Sequence, residues 1–229
     1  QKGIGYNSYQ IWVYPNENNT EQLKKGLIIT HKMTDEIGQK LLKGAKVLLM
    51  PDSTEFVKDQ VGGLFMTDYW NYRMFKTICE SNKKAVSPGT LGILTNPEHP
   101  IFNYFPTEMH TNWQWFPIIK ESHPAILDNL GKEYRPIVQV IDNIERNHKL
   151  GLIFEFQIGK GKLLICMSDL EKTTKYPEGR AFYESVLRYM HSDKFCPNTH
   201  LSDINALKTM LQQKLENKNM DKLNNISQY

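Results

Sequence analysis

The feature that most restricts how this chain can fold is an apolar run, Lys46-Val47-Leu48-Leu49-Met50, closed abruptly by Pro51-Asp52. An apolar run without alternation suits a strand buried on both faces. A helix precedes it. Thr34 stands at the N-cap, Asp35 and Glu36 occupy the first turn, Ile37 and Leu41 lie on one edge, and Gly44 ends the segment. Before that, residues 26–30 (GLIIT) read as a short strand. Strand, helix and doubly buried strand is the order of a parallel sheet covered by helices.

The remaining segments extend this pattern. Residues 9–14 (YQIWVY) read as an opening strand stopped by Pro15, with Trp12 in the core. Residues 69–81 form a helix with Tyr72, Phe75 and Ile78 on one side, and residues 91–94 a short strand. Residues 95–135 carry Pro97, Pro100, Pro106, Pro117 and Pro124 and read as a long irregular segment with one short helix. Loops of that length inside a domain are often functional. Residues 136–141 (PIVQVI) resume regular structure. Residues 151–158 and 162–167 flank Gly159-Lys160-Gly161, which predicts a β-hairpin. Pro177 opens a helix running to His191, with Phe182, Val186 and Tyr189 on its buried face. Ser202 caps a last helix with Ile204, Leu207, Leu211 and Leu215 in one stripe, before a polar tail from Asn217. The expected division is an α/β domain over residues 1–197 and a C-terminal helix with its tail over 198–229.

Composition excludes several classes. The 229 residues are 40% hydrophobic and 23% charged, which is ordinary globular usage. A net charge of +3, with no block of like charges, gives no expectation of a nucleic-acid partner. No run of apolar residues is long enough for a membrane span, and no signal peptide is visible at Gln1-Lys2-Gly3. Cys79, Cys166 and Cys196 are widely spaced and suggest neither a disulfide framework nor a metal knuckle.

Catalytic and cofactor motifs are weak. The turn Tyr14-Pro15-Asn16-Glu17-Asn18 has no glycine and carries a carboxylate, which argues against a phosphate cradle after the first strand. No cofactor is therefore expected. His31, His99, His110, His123, His148, His191 and His200 form no HxH or HExxH pattern, so no metal is expected. Cys166 has bulky neighbours rather than a nucleophile elbow, and Ser168-Asp169 follows a strand end without an identifiable histidine. A hydrolase using Cys166 or Ser168 is the alternative reading. The pairs Asp142/Glu145 and Asp169/Glu171 are more simply solvated carboxylates than a glycosidase pair.

The most informative cluster is aromatic. Asp68-Tyr69-Trp70-Asn71-Tyr72 and Asn112-Trp113-Gln114-Trp115 mix flat rings with amide and carboxylate groups. Sugars are held by that mixture, because their C–H faces pack on rings while hydroxyls pair with planar polar groups. The candidate stacking surfaces are Trp70, Trp113 and Trp115, with Asp68, Asn71, Asn112 and Gln114 as polar partners. The competing reading makes these tryptophans plugs for the core beneath the long loop.

Several stretches carry a family resemblance: residues 44–52 (GAKVLLMPD), 67–72 (TDYWNY), 88–90 (PGT), 96–100 (NPEHP), 105–108 (FPTE), 112–115 (NWQW), 137–143 (IVQVIDN) and 159–163 (GKGKL). Together, over residues 6–197, they resemble the C-terminal region of large Bacteroidetes-type, β-galactosidase-like proteins of glycoside hydrolase family 2. That region looks like a class I glutamine amidotransferase-like domain without its triad. The resemblance implies a flavodoxin-like three-layer α/β sandwich, mostly parallel, with an antiparallel hairpin at one edge. It implies a non-catalytic accessory domain for carbohydrate binding, domain packing or oligomerisation, in a periplasmic or cell-surface protein. Oligosaccharide, neighbouring glycosidase domains or a second copy would be the partners. No catalytic residue carries over.

Overall fold

A computed structural model describes residues 5–15, 20–56, 61–64, 71–86 and 89–214. One mixed sheet organises them. Its strands are β1 (Ile28–Thr30), β2 (Lys46–Leu49), β3 (Gly92–Thr95), β4 (Ala125–Ile126), β5 (Val138–Ile141), β6 (Lys149–Ile158), β7 (Gly161–Cys166) and β8 (His200–Leu201). The spatial order is β1-β2-β7-β6-β5-β3, with β4 and β8 also on β6. The parallel half is β1–β2–β7. The antiparallel half runs β7–β6–β5–β3.

The β6–β7 hairpin thus sits mid-sheet, not at one edge, and joins the two halves. The reason is the length of β6. Its ten residues outrun any one neighbour. On one edge β7 pairs as far as Ile153 and β4 takes over at Gly151; on the other, β5 pairs up to Ile153 and β8 starts at Gln157. The hairpin turn is Gly159-Lys160, with Gly159 at φ +58, and Gly161 already belongs to β7.

The helices are α1 (Thr20–Leu23), α2 (Asp35–Leu42), α3 (Tyr72–Ser81), α4 (Phe116–Ile119), α5 (Leu170–Thr173), α6 (Pro177–His191) and α7 (Ile204–Leu211). They lie on both faces of the sheet. Lys46 and Lys162, partners across β2 and β7, reach the carbonyls of Met190 and Phe195 on the α6 side. The next residue back on β7, Gly161, faces the other way, where an added Cβ would meet the Leu41 carbonyl of α2 at 2.3 Å. α7 lies beside α2, since a Cβ on Gly38 would touch Ile204 at 2.9 Å. The core between the layers is aliphatic and aromatic, from Leu48 and Ile165 to Phe154 and Phe182.

Three expectations change. Residues 9–14 are extended but unpaired, so they form no strand, and Trp12 is half-buried outside the core. Only alternate residues touch the body: Tyr14 stacks on Phe105 and Gln10 donates to Glu108, while Tyr9, Ile11 and Val13 point outward. The boundary expected at 197 falls inside the domain, because β8 pairs with β6 and α7 packs on α2. The last helix is capped by Asp203, whose carboxylate accepts from Asn205 N and Ala206 N, in place of Ser202. Leu215 and the tail from Asn217 lie outside the described residues. No described helix is long and apolar enough to cross a membrane.

Candidate functional site

The segment Asn112–Phe116 shows how local geometry sorts side chains. Trp113–Trp115 is a 3-10 turn that runs directly into α4. With three residues per turn, Trp113 and Phe116 project from the same side. Both face solvent, at 80% and 46% exposure. The two residues between them point inward. Trp115 is fully buried, edge-on to Phe102 and Phe105 and tilted against Phe182, with Nε1 donating to Thr107 Oγ1 at 2.8 Å. Gln114 donates to the Pro106 carbonyl and accepts from the Tyr14 hydroxyl.

Trp113 and Phe116 border a pocket of about 430 Å³, lined also by Leu64, Thr111, Asn112 and Ile119. Asn112 opens the 3-10 turn without capping it through its side chain. Its amide Nδ2 and Oδ1 are both shut off from water, with no hydrogen-bond partner among the described residues. An unsatisfied buried amide costs about 1–3 kcal/mol. The pocket therefore joins an apolar wall to an exposed indole, with the Asn112 amide enclosed behind its lining.

The site residues read from the sequence separate on this geometry. Trp113 and Asn112 come together. Trp115 and Gln114 belong to the core, which corrects their assignment as ligand contacts: a wholly buried ring offers no stacking face. Asn71 caps α3, its Oδ1 accepting from Met74 N at 3.2 Å. Trp70 and Asp68 lie outside the described residues. Phe116, Leu64, Thr111 and Ile119 were not read as site residues. The three-residue spacing from Trp113 to Phe116 was the available signal for the first.

The hydrolase alternative loses its nucleophiles. Cys166 is fully buried and its thiol is pushed up to about 12 by desolvation first, with the Asp169 charge adding to it. Ser168 donates its hydroxyl to the Ile118 carbonyl at 2.6 Å. Among the described residues neither side chain hydrogen-bonds a histidine.

The carboxyl ends of β1, β2 and β7 gather His31, Asp169 and Glu171, whose donor atoms lie within 4.8 Å of one another. In open α/β sheets this end is where ligands bind. Here the groups already neutralise each other. His31 donates Nδ1–H to the Met50 carbonyl at 2.8 Å and turns Nε2 toward Glu171 at 3.4 Å. Lys24 and the Tyr183 hydroxyl meet the other Glu171 oxygen, and Lys172 pairs with Asp169. A cation would have to displace two ammonium groups. Because residues 9–14 are not in the sheet, the turn that would cradle a phosphate is the one from Thr30 to Thr34. It too has no glycine, and α2 opens with Asp35 and Glu36.

A family model described as a domain of unknown function, DUF8487, matches residues 28–212. The chain belongs to the DUF8487 family. The matched span runs from β1 to just beyond α7, so it contains the whole sheet, helices α2 to α7 and the Trp113 pocket, while α1 precedes it. No curated protein sequence matches the chain.

Proposed function

We propose that this DUF8487 domain is a non-catalytic, carbohydrate-binding accessory domain of a β-galactosidase-like protein of glycoside hydrolase family 2, acting in the periplasm or at the cell surface on polysaccharide. The observation that carries the reading is the exposed indole of Trp113 over an apolar pocket that Asn112 also lines. A sugar ring would stack on the indole through its C–H face, and its hydroxyls would meet the Asn112 amide once that side chain turns outward. The helix-covered parallel half, β1–β2–β7, supports the flavodoxin-like, amidotransferase-like ancestry that the resemblance implies, and the buried Cys166 fits the loss of a triad. Native gels cast with soluble galactan or xyloglucan test it. Retarded migration that disappears in Trp113→Ala supports the reading; unretarded migration of the intact chain in every plant polysaccharide removes it.

A second role, packing against a neighbouring glycosidase domain or a second copy, is favoured by one observation. Tyr9, Ile11 and Val13 are all more than four-fifths exposed on the outer side of the extended arm. Light scattering on the intact chain and on Ile11→Ser/Val13→Ser checks the self-association branch: a dimer that becomes a monomer is the expected result.

A further inference from the structure

A second cleft shares no lining residue with the Trp113 pocket, and it exists because two strands share one edge of β6. β5 pairs with β6 as far as Ile153, and β8 begins at Gln157. Between them Glu155 has no strand neighbour on that side. The gap is bridged instead by Tyr134, whose hydroxyl donates to the Glu155 carbonyl at 3.4 Å. The resulting cleft measures about 610 Å³, within the range of small-molecule sites.

Its chemistry is specific. Glu155 lines the cleft, and the Tyr189 hydroxyl donates to Oε2 at 2.8 Å. Among the described residues no donor meets Oε1. His99 also lines it. His99 Nδ1 accepts from Ile101 N, which leaves the ring's proton on Nε2 as a donor. Gln139 and Asn198 contribute side-chain amides that make no hydrogen bond to the described residues, and the Tyr134 ring, stacked at 5.6 Å on Phe156, adds an apolar wall.

The charges select the ligand class. Glu155 and Glu133 disfavour an anion. Arg135 on the same cleft, and Lys162 close enough to act on Glu155, disfavour a cation. What remains is a neutral molecule that offers and accepts many hydrogen bonds. Planar amides and a carboxylate beside an aromatic ring are groups that read adjacent hydroxyls.

We infer that the cleft between β5 and β8 is a binding site for a small neutral polyol of one or two sugar rings, separate from the Trp113 pocket. It does not depend on that pocket binding polysaccharide. Saturation-transfer NMR on the intact chain with methyl β-galactoside, arabinose and glucose, each up to about 50 mM, tests it. At least one sugar should give a saturable signal. Gln139→Ala/Asn198→Ala, at exposed or half-exposed positions that leave the melting curve in place, should weaken it by about tenfold. A saturable signal should persist in Trp113→Ala, whatever the Trp113 pocket adds in the intact chain. Absence of saturation with all three sugars, unchanged affinity in the double variant, loss only in Trp113→Ala, or tighter binding of inorganic phosphate or ethanolamine would each overturn the assignment.

Discussion

Arg146 grips one oxygen of Asp142 twice, through Nε at 3.0 Å and Nη2 at 2.7 Å, on a carboxylate almost entirely removed from water. The other Asp142 oxygen accepts from His148 N, so the ion pair also fixes the loop that leads into β6. The guanidinium lies over the Tyr72 ring at 5.4 Å. That contact matters because α3 has no fully buried residue to anchor it. Asp142→Ala removes the buried carboxylate of this ion pair and should destabilise the chain by about 3–5 kcal/mol. Urea unfolding reads the loss, and hydrogen exchange should show α3 opening before the sheet.

The hydrogen bond from Tyr189 to Glu155 gives a pH signature. Burial raises the Glu155 pKa above its ordinary value, only partly opposed by the Tyr189 hydrogen bond and the Lys162 charge. The folded state therefore holds that proton more tightly than the unfolded chain. Stability from this group is fully present below the unfolded Glu pKa and is lost as pH rises through the folded one. Glu155→Gln keeps an acceptor for Tyr189 and cannot ionise. Its urea midpoint should match the parent near about pH 4 and exceed it near about pH 8.

Much of the sheet was legible because its strands announce themselves by composition. Lys46–Leu49 is apolar throughout and buried on both faces, and the Thr34 cap and Gly44 stop bracket α2 where expected. The hairpin was legible from two glycines, but its central position was not: which strand continues along β6 beyond β7 and β5 depends on contacts distant in sequence. The failure at residues 9–14 has a similar cause. Alternation predicts one wetted and one packed face, and both are observed, yet nothing in the local sequence supplies a hydrogen-bonding neighbour. Trp113 and Trp115 differ by two positions in a segment of identical composition. Only the 3-10 turn, which puts Phe116 rather than Trp115 beside Trp113, separates exposed ring from core. His31 meeting Glu171, 140 positions away, has no local signal at all.

Gly161 tests the packing of β7 against α2. A Cβ there would meet backbone oxygens of Leu41 at 2.3 Å and Ala45 at 2.8 Å, neither of which can swing aside as a side chain could. Gly161→Ala should cost about 1–3 kcal/mol through forced separation of helix and strand. Thermal unfolding followed by circular dichroism checks it.

The thiols should differ sharply in reactivity. Cys196 is exposed, whereas Cys166 is buried with a thiol pushed up to about 12. Near about pH 8 a disulfide reagent should label Cys196 in the folded chain and reach Cys166 only on unfolding. Rapid labelling of native Cys166, mapped by peptide mass spectrometry, would reopen the hydrolase reading.

The central claim rests on Trp113 as a sugar-stacking surface, and intrinsic fluorescence during titration with galacto-oligosaccharides tests it most directly. Of four tryptophans in the chain, Trp115 is buried and Trp113 is highly exposed. The account predicts a saturable change in the emission of the intact chain that Trp113→Ala abolishes, with unfolding free energy held within about 0.5 kcal/mol. An emission spectrum unmoved by millimolar oligosaccharide, or a response that survives Trp113→Ala, would contradict it.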